Sequence, residues 1–149
     1  MKLINVFFLD MVWPAIYVSA AFWKFWFLVL GTIVLELFTI KLFLKFSWRK
    51  SFFASLIGNC VSGFIGTFIM TYAMMFWHLL ADYFVNGTFN TFNWIATYAL
   101  MCFGSVFLEI VTLKIIYRVP ANKLLLPLTT GNLLSYAFIA YFMVTHKAG

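Results

Sequence analysis

The chain has 149 residues, of which 65% are hydrophobic, 22% aromatic and only 9% charged, with a formal net charge of +6. This excludes a water-soluble domain, because an average globular chain is about half apolar and about a quarter charged. Disorder, nucleic-acid binding and an acidic-substrate cleft are disfavoured as well, since the ten Lys and Arg are scattered among apolar runs and gather on no basic face.

The solvent is therefore expected to be lipid, and the elements are read against a bilayer. Residues 1–21 open with Lys2 and an apolar run ending in Val18-Ser19-Ala20-Ala21, a superficial likeness to a secretion signal. Asp10 and Pro14 interrupt its hydrophobic centre, so the reading for 1–21 is an interfacial segment leading into the first span. Trp13, Tyr17, Trp23 and Trp26 then sit at headgroup level.

A spanning helix needs roughly 20 mostly apolar residues to cross a hydrocarbon core of about 30 Å. Polar breaks at 46–51, 86–93 and 118–123 leave four such stretches, 22–44, 52–80, 94–117 and 124–144. The apolar runs are continuous and lack the alternation of a membrane strand, so the fold class is an all-α integral membrane protein, a four-transmembrane-helix bundle. Its parts are the interfacial segment 1–21, a hairpin over 22–80, an outer loop over 81–93 and a second hairpin over 94–149.

Lys45, Arg49 and Lys50 flank the first break, and Arg118 and Lys123 flank the third, whereas Lys2, Lys24 and Lys147 are diluted along two tails. The positive-inside rule then places links 45–50 and 118–123 in the cytoplasm, with both termini, Asp82 and the Asn86 loop outside. The expected location is a cell membrane, the inner membrane of a bacterium. Asn86-Gly87-Thr88 fits a glycosylation acceptor on that outer face, a pattern that arises easily by chance.

The two cysteines, Cys60 and Cys102, fall inside spans at different depths, with no CxxC pair and no Cys/His zinc spacing. His78 and His146 lie near the outer ends of spans, too far from the middle for paired haem ligation. Neither cofactor nor metal is implied. Enzyme signatures are absent too: there is no Gly-rich phosphate loop, no Gly-x-Ser-x-Gly elbow and no His-Glu-x-x-His. The seven Met and twenty Phe read as packing and lipid-facing material.

The strongest signal is internal. A shift of 73 residues aligns Gly31 with Gly104, Leu35 with Leu108, Glu36 with Glu109, Thr39 with Thr112 and Lys41 with Lys114. Without a gap it continues through Lys50 and Lys123, Gly58 and Gly131, Asn59 and Asn132, and Ser62 and Ser135. Thr32 matches Ser105 and Lys45 matches Arg118. Shared Leu or Phe is common by chance in an apolar chain, but a repeated Glu-x-x-Thr-x-Lys followed at fixed distance by Gly-Asn-x-x-Ser is not. The chain thus reads as two tandem hairpin repeats. Each repeat has two spans, so the copies enter from the same side, a parallel arrangement that resembles in symmetry the transporters built from parallel repeats.

Counted from Trp48, Glu36 lies 12 residues back and Asn59 lies 11 residues on. At about 1.5 Å per residue both are roughly 17 Å from the turn, near the bilayer middle, and Glu109 and Asn132 repeat this about Ala121. Ser62 and Ser135 follow their Asn by three residues on the same face, as Thr39 and Thr112 follow the two Glu. Gly58 and Gly131 precede each Asn, as small residues do where helices approach closely.

A carboxyl at that depth costs at least about 2.5 kcal/mol and must be met by protonation or by a partner. Lys41 and Lys114 are candidates, but a spacing of five sets Glu and Lys about 140° apart on one helix. Pairing is therefore expected across helices, Glu36 with Lys114 or Asn132, unless both lysines snorkel to the interface. Glu36, Glu109, Asn59, Asn132, Ser62, Ser135, Thr39, Thr112, Lys41 and Lys114 together form a candidate ion- or solute-binding layer. The expected function is a small transporter or channel for an ion, proton or small solute. The alternative is a non-enzymatic accessory or assembly subunit of a larger membrane complex, in which Glu, Asn and Ser merely hold helices together. Expected partners are the lipid bilayer and either further copies of the chain or other membrane subunits, because four helices alone enclose little cavity.

Overall fold

The computed structural model describes residues 26–81 and 91–145; the expected interfacial segment 1–21, most of the outer loop and the last four residues lie outside them. Four helices follow in order: α1 (Trp26–Leu44), α2 (Trp48–Ala81), α3 (Thr91–Tyr117) and α4 (Ala121–Thr145). Each contains a stretch long and apolar enough to cross a membrane, namely Trp26–Leu44, Trp48–Ile69, Ile95–Tyr117 and Ala121–Phe142. The chain divides into two compact units, Met1–Leu30 and Gly31–Gly149. The polar layer and its surroundings belong entirely to the second.

In that unit the usual distribution of residues is inverted. Leu42, Phe64 and Ile115 are each 71% exposed, while Glu36 and Glu109 are 2% and 1% exposed. Water would penalise this arrangement and hydrocarbon favours it, because lipid tails accept apolar side chains at no cost and leave polar groups to satisfy one another inside.

The helix ends differ from the sequence expectation at the links. The first break was expected over 46–51, yet α2 already begins at Trp48 and only 45–47 are non-helical. Ser47 is the reason. Its carbonyl accepts the Ser51 N–H at 2.9 Å and its hydroxyl accepts the Lys50 N–H at 3.3 Å, which caps donors that a helix start leaves unsatisfied. At the third break the Pro120 carbonyl accepts the Lys123 N–H at 3.0 Å, and α4 starts at Ala121, three residues before the expected 124. Residues 91–93, expected to be loop, form the first turn of α3.

Helices α1 and α3 both end by the same device: Lys45 and Arg118 adopt φ of 53° and 54°, the left-handed turn that stops a helix after its last residue. Two non-glycine residues 73 positions apart share this conformation. Pro127 lies inside α4, buried, without ending the helix, as is tolerated where neighbouring helices surround the freed backbone carbonyl.

Neighbouring helices meet in chain order and α4 returns to α1. Ser55 Oγ on α2 donates to the Ile33 carbonyl of α1 at 2.8 Å, and Ser62 Oγ on α2 donates to Glu109 on α3 at 3.0 Å. On α3, the Tyr98 hydroxyl donates to the Tyr136 carbonyl of α4 at 2.5 Å. The α4 to α1 contact is close enough that a Cβ on Gly131 would lie 2.7 Å from Thr39 Oγ1 and 3.0 Å from Glu36 Cγ. Toward the two short links, Ile40, Ala54, Leu113, Leu124 and Leu128 pack into an apolar core, with Leu44, Phe46, Tyr117 and Val119 against it. This core seals the link end of the unit.

Candidate functional site

Glu36 sits on α1 and Asn59 on α2, where the short 45–47 link folds the two helices back on each other and brings the residues level. The Asn59 amide donates to Glu36 Oε2 and also to the Ser55 carbonyl, the latter at 3.0 Å. Thr32 Oγ1 approaches Asn59 Oδ1 at 3.5 Å. The second hairpin repeats the pairing at matched positions: Asn132 Nδ2 donates to Glu109 Oε2 at 2.8 Å and to the Leu128 carbonyl at 3.1 Å.

The serines cross between hairpins. Ser62 Oγ donates to Glu109 Oε1 at 3.0 Å, and Ser135 interacts with the Glu36 carboxyl while approaching the Thr32 carbonyl at 3.5 Å. Glu109 is therefore held by the asparagine of its own hairpin and the serine of the other, while Ser135 reaches across to the backbone of α1. The glycines make this possible. A Cβ on Gly58 would lie 3.3 Å from Glu109 Cγ, just as Gly131 abuts Glu36.

Several expected members take other places. The cross-helix pair of Glu36 with Asn132 does not form, because each asparagine turns to the carboxyl of its own hairpin. Lys41 lies away from both carboxyls: its Nζ donates to the Phe46 carbonyl at 2.6 Å and stands 5.5 Å over the Trp48 ring. Lys114 is exposed. Among the described residues, therefore, no basic side chain pairs with either carboxyl. Thr39 and Thr112 bond their own helices, donating to the Glu36 carbonyl at 2.9 Å and the Leu108 carbonyl at 2.7 Å.

Ser55, Tyr136 and Tyr98 join the network without having been singled out. Ser55 aligns with Leu128 and Tyr136 with Gly63 across the 73-residue shift, so neither shows in a search for repeated polar residues. Ser105, matched to Thr32, lies 3.2 Å from the Tyr136 hydroxyl. A cleft of about 250 Å³ opens beside this group between α2 and α3, lined by Ser62, Gly66, Gly104, Ser105 and Tyr136 among others. Among the described residues no three His, Cys, Asp or Glu side chains cluster to hold a metal, and Cys60 and Cys102 are free. No family model, no curated protein and no solved structure matches this chain, so its chemistry is argued from its own residues.

Proposed function

We propose that this is a small polytopic membrane transporter or channel that handles an ion, a proton or a small solute through the paired Glu/Asn layer. The observation that carries this reading is that Glu36 and Glu109, nearly fully buried, are met among the described residues by neutral amides and hydroxyls alone. Asparagine and serine alone would hold helices together, at about 0.6 kcal/mol per contact. Two carboxyls at the same depth add a desolvation cost that a purely structural contact does not need, and ionisable groups inside a membrane mark ion and proton paths.

The reading includes a duplicated hairpin with a pseudo-two-fold axis along the membrane normal, supported by the matched Glu–Asn bonds and the matched left-handed residues at 45 and 118. It also includes cytoplasmic links, outer termini, a bacterial inner membrane and association with lipid and with further copies of the chain. The test is flux into liposomes for a panel of ions and small solutes. Wild type is expected to conduct at least one of them, and Glu36→Gln with Glu109→Gln, which keeps the shape and removes the ionisable groups, is expected to abolish that flux while the protein stays monodisperse. Absence of any flux, with stoichiometric co-purification of other membrane subunits, would transfer the layer to an accessory, docking role.

A further inference from the structure

The two halves of the polar layer are closed differently. On the α4–α1 side, Phe138 lies over Gly31 so tightly that a Cβ there would meet its ring at 2.6 Å. The residue matched to Phe138 by the 73-residue shift is Ile65, 41% exposed at the protein surface. On that α2–α3 side the described residues leave an open space, the 250 Å³ cleft. Its rim is apolar and faces outward, with Ile69, Met101 and Phe107 at 51%, 41% and 66% exposure. Its lining carries the hydroxyls of Ser62, Thr67, Ser105 and Tyr136; that of Thr67 donates to the Gly63 carbonyl at 2.6 Å, and Ser62 bonds Glu109. The link end is sealed by the apolar core. One carboxyl, Glu109, is thus a single side chain away from a lateral opening, and Glu36 is not.

We infer that the α2–α3 cleft is a binding pocket for a small amphipathic amine that enters sideways from the hydrocarbon layer and places its ammonium on the Ser62, Ser105 and Tyr136 hydroxyls in front of Glu109. The size fits: an apolar cavity of about 150 Å³ holds benzene, and drug-sized ligands occupy pockets from about 300 Å³ upward. The chemistry fits as well. An ammonium has three donors and no acceptor, and the Ser62, Ser105 and Tyr136 hydroxyl oxygens beside Glu109 can accept from it. Ser62 already gives its proton to Glu109, so its lone pairs are free to accept. The cation supplies the positive charge that Lys41 and Lys114 do not bring to the layer. The apolar rim holds the rest of the molecule. This inference rests on reading the layer as a ligand site and assigns the two carboxyls unequal roles, Glu109 as the contact and Glu36 as its fixed partner.

The test uses dicyclohexylcarbodiimide, an apolar reagent that partitions into the bilayer. The carboxyl oxygen adds to its central carbon, the carboxyl proton passes to a nitrogen, and the acyl group then migrates to nitrogen, leaving a stable adduct with nothing released. Full-length protein in lipid nanodiscs is treated with the reagent, with or without benzylamine or benzyl alcohol; because benzylamine can also capture the activated carboxyl as an amide with release of the urea, mass spectrometry counts the N-acylurea and the benzylamide of each glutamate together as modification. Wild type should be modified at Glu109 at least tenfold more than at Glu36, and benzylamine, but not benzyl alcohol, should protect it.

Gly66→Leu should block the modification, because a Cβ at 66 meets Leu108 at 3.8 Å without collision and a longer side chain crosses the gap. Gly63→Leu, at a position whose Cβ meets nothing within 4 Å, is the second plug should the first fail to fold. Equal modification of both glutamates, modification of neither, or undiminished modification in a folded plug variant overturns the lateral pocket. Equal protection by the alcohol overturns the amine. Flux without selective Glu109 labelling would sink this inference and leave transport standing. Selective, amine-protected labelling without flux would keep the pocket and remove the transport reading.

Discussion

At Gly131 and Gly58 the absence of a single methyl group decides whether a carboxyl can be housed inside the protein. The backbone of α4 approaches α1 so closely at Gly131 that an added Cβ would lie 2.7 Å from Thr39 Oγ1 and 3.0 Å from Glu36 Cγ, with the Glu36 backbone just behind. Gly131→Ala is therefore expected to lower stability by about 1–3 kcal/mol, the usual cost of overpacking. Gly58→Ala meets only the Glu109 side chain, at 3.3 Å, and should cost less. Gly63→Ala meets nothing and should be neutral or stabilising by up to about 1 kcal/mol through the unfolded chain. Thermal unfolding in detergent of the three variants checks the order. The reverse order would mean that the α4–α1 contact is not the close one. The sequence pointed to these two glycines through their place before each asparagine; which carboxyl each one faces depends on the neighbouring hairpin and was not legible there.

Among the elements, the three-residue links carry the sharpest constraints. Lys45 and Arg118 hold the left-handed conformation that glycine adopts freely and that costs an ordinary residue about 1–2 kcal/mol. Lys45→Gly and Arg118→Gly should each stabilise the fold by up to that amount, about 1–2 kcal/mol, whereas Lys45→Val should destabilise it, as read by the same thermal unfolding. Retention of lysine and arginine where glycine is easier fits a second duty for these positions, charge at the membrane surface. At the start of α2, Ser47→Ala removes the cap and should cost about 1 kcal/mol. The links also explain why the expected breaks were too wide. Trp48, Arg49, Lys50 and Ser51 look like loop by polarity, but the Ser47 cap already closes the first turn of α2 around them. Polarity marks where a chain leaves the lipid, and hydrogen bonds mark where the helix ends.

Across the whole molecule, the lysines and the carboxyls occupy opposite ends of one apolar core. Lys41 and Lys50 gather at the links, where Lys50 Nζ stands 4.0 Å over the Phe46 ring, and the layer lies beyond Ile40, Leu113, Leu124 and Leu128. The proposed orientation, with the basic links in the cytoplasm, makes a direct prediction. With Cys60 and Cys102 replaced by Ser, Ser47→Cys and Asn122→Cys should react with a membrane-impermeant maleimide only when it is given access to the cytoplasmic face. Reaction from the outside of intact cells would reverse the proposed topology.

What the sequence alone determined was the apolar character of the chain, the number of helices long enough to span a membrane and the positions of the polar residues along them. All of these follow from hydropathy and spacing along one chain, because a bilayer imposes a length on every span and a penalty on every polar group. Only the tertiary structure decided the partners. Asn59 and Asn132 bond within their hairpins while Ser62 and Ser135 bond across them, Lys41 turns to a backbone carbonyl, and one side of the layer is filled by Phe138 while the other stands open. The reason is physical. Depth is a property of a single helix, but who faces whom depends on how helices rotate and approach, and residues that break the repeat, such as Ser55, Tyr136 and Phe138, set those contacts without leaving a mark in the repeated pattern.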